Sequence, residues 1–197
     1  MIKHICVYCG SSLGDKKEYY DTAVRLGKTL AERSITLVYG GGKVGLMGLI
    51  AKTVMDAGGE VIGVIPRHLL QREVGADGIS DLRVVDTMHE RKALMADLSD
   101  GFIAMPGGLG TLEEITEVLT WSQLGLHQKP CGFLNICNYY RPLMAFFDTM
   151  VAEKFVDEAH RSMILVDDDP VALLDHFNTY HAPLADKAAW ALKNSIQ

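Results

Sequence analysis

Short apolar runs rich in Val, Ile and Leu recur along the chain, separated by stretches whose apolar residues fall three or four apart. The first pattern predicts buried strands and the second predicts helices with one apolar face. Strands are expected at residues 5–8, 35–39, 60–65, 82–86, 101–105, 131–136 and 163–166. Helices are expected at 19–32, 46–57, 88–98, along a pattern from 115 to 124, at 142–154 and at 170–180. Gly58 and Gly59 stop the second helix. Thr87 and Glu90 have the spacing of a capping box at the start of the third, and Pro170 takes the favoured first helical position. Residues 67–81 carry mixed charge and two glycines, which suits a loop over a site. Residues 182–197 are expected to be a partly helical tail. Strand–helix alternation of this kind predicts an α/β protein: a Rossmann-like, doubly wound parallel sheet of about seven strands, in one domain over residues 1–197. Such sheets bind ligands beyond the carboxyl ends of their strands. Three glycine turns follow strands, at Gly10, at 40–45 and at 107–110, so all three share that edge.

The stretch Pro106-Gly107-Gly108-Leu109-Gly110-Thr111-Leu112-Glu113-Glu114 concentrates the candidate chemistry. It joins an apolar strand to a helix N-terminus, where unpaired N–H groups and the helix dipole favour an anion, most often phosphate. The glycines let a ligand approach the backbone. Thr111 and Glu114 also have capping-box spacing, so Glu114 could serve only to close the helix. Glu113, Glu114 and Glu117 are neighbours on the helix surface; their mutual repulsion raises a carboxyl pKa while the dipole lowers it. Arg91 and Lys92 open the preceding helix, where the dipole disfavours cations, which points to an anion nearby. The turn 40–45 fits G-x-G-x-x-G, with Gly42 in it and Met47 beyond it as contacts for a flat base. It lacks an acidic residue at the end of the following strand, which argues against a dinucleotide, and Val44 breaks the P-loop pattern.

The chain has 197 residues and a net charge of −6, which argues against general affinity for nucleic acid or anionic membrane and makes any phosphate site local. No apolar run reaches the ~20 residues that span a bilayer. The N-terminus reads as a strand, not a signal peptide, so a cytoplasmic protein is expected. Cys6 and Cys9 point to opposite faces of a strand, and all four cysteines are expected to be buried free thiols, with no structural metal.

These motifs resemble the Lonely Guy (LOG) family of cytokinin-activating phosphoribohydrolases. The resemblance rests on the 106–114 block, on Met88-His89-Glu90-Arg91-Lys92, on 40–48, on 119–127 and on Cys9-Gly10-Ser11-Ser12, and it covers about residues 5–180. It implies hydrolysis of the N-glycosidic bond of a nucleoside 5′-monophosphate, a cytokinin riboside 5′-monophosphate or AMP, giving free base and ribose 5-phosphate without a cofactor. It implies catalytic positions at Arg91 and Glu114 and a phosphate seat at Gly107, Gly108, Gly110 and Thr111. Lys92, Glu113, Glu73, Ser12, Gly42 and Met47 complete the candidate substrate site. The family forms homodimers, and the helix bearing Trp121 and Leu124 is the expected contact. The rival classes are a nucleotide-binding or molybdenum-cofactor-carrier-like protein without turnover, and a lysine decarboxylase, for which no pyridoxal phosphate motif is present.

Overall fold

The computed structural model describes residues 2–70, 79, 81–183, 190 and 192. Among them seven strands, β1 (His4–Tyr8), β2 (Thr36–Tyr39), β3 (Val61–Pro66), β4 (Asp81–Val85), β5 (Gly101–Ala104), β6 (Cys131–Leu134) and β7 (Ile164–Asp167), alternate with helices. The helices are α1 (Lys17–Glu32), α2 (Gly45–Asp56), α3 (Arg67–Leu70), α4 (Met88–Asp97), α5 (Leu109–Gln123), α6 (Arg141–Ala152), α7 (Glu158–Arg161) and α8 (Pro170–Thr179). All pairings are parallel, in the order β4-β3-β2-β1-β5-β6-β7. The chain runs outward from β1 to one edge and then continues from β5 on the other side of β1. The direction of winding therefore reverses between β1 and β5, and a crevice opens beyond their carboxyl ends.

Both sheet faces are covered, as the continuous apolar strands require. Ile5, Val7 and Cys9 lie in one core with Leu26 and Leu30 of α1, Ile50 of α2 and Phe177 of α8. Cys6 and Tyr8 lie in the other with Met95 of α4, Ile115 of α5 and Phe147 of α6. Each fully buried Leu, Ile or Phe contributes about 1.5–3 kcal/mol, so these two layers dominate the stability. Cys6 and Cys9 fall on opposite faces, as expected, and both thiols are free.

Three details depart from the sequence expectations. The segment after β3 is not loop throughout: Arg67–Leu70 form one helical turn. Residues 71–78 and 80 of that expected loop, and most of the expected tail, lie outside the described residues. Cys137 is exposed, not buried: it lies at φ +53 in the turn that leaves β6, beyond the strand's buried residues. The capping box on α4 is offset: Thr87 Oγ1 accepts from Glu90 N at 3.1 Å, while the Glu90 carboxylate accepts from Asp86 N at 2.9 Å.

Candidate active site

The three glycine turns pack into one body at the crevice. Gly10 N donates to Pro106 O at 3.1 Å, and Leu46 N donates to Gly10 O at 3.1 Å. Side chains are excluded where they meet. A Cβ on Gly107 would lie 2.2 Å from Thr111 Oγ1 and 2.8 Å from Gly10 N, and one on Gly45 would lie 2.2 Å from the Ser11 carbonyl carbon. Thr111 is buried beneath Gly107, and Gly42 is buried in the turn after β2. Ser12 accepts from Gly14 N through Oγ at 3.2 Å and joins Gly10, Tyr19, Gly107, Gly108 and Tyr139 around a cavity.

α5 begins two residues before Thr111. Gly108 is the N-cap, at φ −91 and ψ −156, and no side chain caps the helix. Thr111 is therefore the third helical residue, and the capping-box alternative for Glu114 does not hold. The first N–H groups of α5 face the crevice edge with their dipole positive, the arrangement that seats an anion. A Cβ on Gly108 or Gly110 would meet no atom of the described residues within 4 Å. Nothing within the described chain requires glycine at either position, in contrast to Gly107.

Glu114 lies four residues after Gly110, on the same face of the helix. Its side chain is only 12% exposed, and Oε1 lies 3.5 Å from Arg91 Nη1. Arg91 is itself 11% exposed. Its Nε donates to Val64 O at 3.2 Å and its Nη2 to Gly40 O at 3.5 Å. One guanidinium thus joins the end of β3, the glycine turn after β2 and the α5 carboxylate. Gly40 is bare for this purpose, since a Cβ there would lie 2.0 Å from Arg91 Nη2. Burial pushes the Glu114 carboxyl above the ordinary glutamate range, the Arg91 guanidinium opposes the shift, and the Glu113 charge adds to it.

Lys92 is buried and bonds to the carboxylates of both Glu113 and Glu117. The hydrogen bond to Glu113 holds its ammonium above the usual lysine value. The cations at the start of α4 are therefore answered by carboxylates of α5 inside the chain. That pairing removes the need for an external anion to explain them. Met47 is partly buried against the first core, with its sulfur 3.6 Å from where a Gly40 Cβ would sit, beside the Arg91 guanidinium. Glu73 lies outside the described residues. Sequence reasoning missed Gly40 as an Arg91 acceptor, and it missed Tyr139 and Tyr140, whose hydroxyls bond the backbone of residues 105–107. Asn138-Tyr139-Tyr140 was the available signal, a polar and aromatic stretch immediately beyond a strand on the carboxyl edge.

Residues 47–177 match the family model described as "Possible lysine decarboxylase". The rice cytokinin riboside 5′-monophosphate phosphoribohydrolase LOG is 55% identical over 163 residues, covering 83% of this chain and 67% of that protein. The Arabidopsis thaliana cytokinin riboside 5′-monophosphate phosphoribohydrolase LOG1 is 47% identical over 194 residues, covering 97% of this chain and 91% of that protein. Among solved structures, the molybdenum cofactor carrier protein of Chlamydomonas reinhardtii superposes with a TM-score of 0.70 at 22% identity, over 91% of this chain and all of that one; this likeness is one of fold. With the 106–114 cradle, the Arg91–Glu114 pair and identities of this size over nearly the whole chain, this protein belongs to the Lonely Guy (LOG) family.

Proposed function

We propose that the protein is a phosphoribohydrolase that cleaves the N-glycosidic bond of a nucleoside 5′-monophosphate, either a cytokinin riboside 5′-monophosphate or AMP, to free base and ribose 5-phosphate. The observation that carries the reading is the buried Glu114–Arg91 pair on the open face of α5. The 5′-phosphate sits on the N–H groups of residues 108–111, in the space that Gly108 and Gly110 leave clear. From Gly110 to Glu114 the helix rises about 6 Å, and helical side chains lean back toward the N-terminus. The Glu114 carboxyl thus comes within a sugar's length of the phosphate seat, at the anomeric carbon.

Cleavage of the glycosidic bond builds positive charge on the ribose, as in other glycoside hydrolyses. Glu114 as carboxylate stabilises that charge or takes a proton from the attacking water. Arg91 holds Glu114 in place and orients the sugar, or assists the departing base. Lys92 offsets Glu113 and Glu117, so that Glu114 does not ionise against two unbalanced neighbours. Met47, beside Gly40 and Arg91, offers an apolar surface for the base.

The test is incubation with AMP and with isopentenyladenosine 5′-monophosphate, followed by chromatography for free base. Release of neither base overturns the hydrolase reading in favour of a carrier that binds nucleotide without turnover. Decarboxylation finds no support at Lys92: a Schiff-base lysine must be able to lose its proton, and two carboxylates hold this one protonated.

The working unit in this reading is a cytoplasmic homodimer. Leu124 and Leu126, at the end of α5, are 54% and 70% exposed, which suits a contact between copies, while Trp121 packs partly against the second core. Light scattering should give twice the mass of one chain; Leu124→Glu should lower it toward one.

A further inference from the structure

The segment that carries the cradle has all three of its successive carbonyls engaged. Tyr140 Oη donates to Met105 O at 2.6 Å, Gly10 N donates to Pro106 O at 3.1 Å, and Tyr139 Oη donates to Gly107 O at 2.6 Å. This matters because the peptide unit is planar and trans, so its carbonyl and its N–H point in opposite directions. Holding Pro106 O and Gly107 O toward protein donors fixes the N–H groups of Gly107 and Gly108 the other way. Gly107-Gly108 is also where the backbone is freest to turn. A turned Gly107–Gly108 peptide would present a carbonyl oxygen where an anion needs an N–H.

The two tyrosines are themselves delivered by a constrained turn. Cys137 and Asn138 are successive residues at φ +53 and φ +61, a conformation that L side chains avoid. Asn135 holds the turn closed, with Oδ1 accepting from Tyr140 N at 2.7 Å and its carbonyl accepting from Asn138 N at 3.1 Å. The Tyr139 and Tyr140 rings meet edge to face at 5.0 Å, and Tyr139 meets Tyr19 edge to face at 6.0 Å. Tyr140 is buried, whereas Tyr139 is 42% exposed and lines the cavity with Gly107 and Gly108.

We propose that Tyr139 is a positioning residue whose hydroxyl locks the Gly107–Gly108 peptide so that the Gly108 N–H faces the substrate phosphate, with Tyr140 fixing the preceding residue from beneath. A phenol has one hydrogen, and Tyr139 commits it to the Gly107 carbonyl, so the residue acts through the backbone and not by donating to phosphate itself. The inference rests on the phosphate seat proposed above.

Tyr139→Phe tests it, because that change keeps the ring and its edge contacts and removes only the hydroxyl. Calorimetry reads ribose 5-phosphate binding, and steady-state assays of base release read KM and kcat. Tyr139→Phe should weaken ribose 5-phosphate binding about tenfold, the scale of one charge-assisted hydrogen bond. KM should rise with it, and kcat at saturating nucleotide should stay within about twofold, since ground-state and transition-state binding lose the same contact. Tyr140→Phe should weaken binding in the same direction. If wild type binds ribose 5-phosphate and Tyr139→Phe binds it equally well, the lock is overturned. A fall in kcat with unchanged binding also overturns it, by moving Tyr139 into the chemical step. Failure of wild type to bind ribose 5-phosphate overturns the phosphate seat, and the lock with it.

Discussion

Gly110→Ala separates what the fold needs from what the ligand needs. Gly110 is the second residue of α5, and a Cβ there meets no atom of the described residues within 4 Å, so alanine adds no clash with them. Helical glycine is about 0.5–1 kcal/mol less favourable than alanine. The variant should therefore gain up to about 1 kcal/mol, which for a chain of this length raises Tm by about 2–4 °C per kcal/mol. The new methyl leans toward the helix N-terminus, on the face that carries Glu114. There it pushes the phosphate off the N–H groups. Losing one or two charge-assisted hydrogen bonds, about 1.5–3 kcal/mol each, lowers kcat/KM by roughly 10- to 100-fold or more. Scanning fluorimetry and chromatographic base release on the same preparation read both effects. A variant with raised Tm and kcat/KM within about threefold of wild type would refute the seat on this face of α5. A lowered Tm would refute the reasoning from open space around Gly110.

Glu114→Gln should abolish base release and leave Tm nearly intact, and full retained activity would remove Glu114 from the chemistry. The same variant checks the raised Glu114 carboxyl. The folded state keeps its proton above the ~4.3 of free glutamate, so this group's contribution is complete below that value and is lost as pH rises through the folded pKa. Denaturant titrations from about pH 4 to 7 should show wild type losing stability relative to Glu114→Gln; an opposite slope would mean that the Arg91 attraction outweighs burial. Arg91→Lys keeps the charge but replaces a planar fork with a point charge. It should leave a carbonyl at Val64 or Gly40 unpaired, costing about 1–3 kcal/mol in chemical denaturation, and lower kcat/KM.

The sheet was legible in the sequence because its five inner strands are short apolar runs whose two faces both find a helical layer. Ile5 to Tyr8 could be assigned from four residues, and the alternation of Cys6 and Cys9 between two cores followed from the strand period alone. The shared edge of the three glycine turns was legible for the same reason, since each follows a parallel strand. The single-turn helices α3 and α7 were not, because four residues cannot show a helical period. Nor were the partners of Arg91 and Lys92. Their cations look misplaced on α4 taken alone, and only the packing of α4 against α5 brings carboxylates 21 to 25 residues away in sequence into contact.

The start of α5 is where local sequence and tertiary structure part, and that difference decides what Glu114 is for. Gly108-Leu109-Gly110 has poor helix propensity, so local rules place the helix start at Thr111 and pair it with Glu114 as a cap. The fold overrides this. Gly10 holds Pro106, Tyr139 holds Gly107, and Thr111 is buried directly beneath Gly107, so the helix is forced to begin at Leu109. A helix beginning there carries Glu114 into its second turn, out of reach of any cap and onto Arg91. The N-cap Gly108 and the helical Gly110, at both of which a Cβ would meet no described atom, then stand in line with a carboxylate raised by burial. A fold selected for stability alone would have alanine at Gly110. Glycine there fits a face of α5 that stays open to something beyond the described residues.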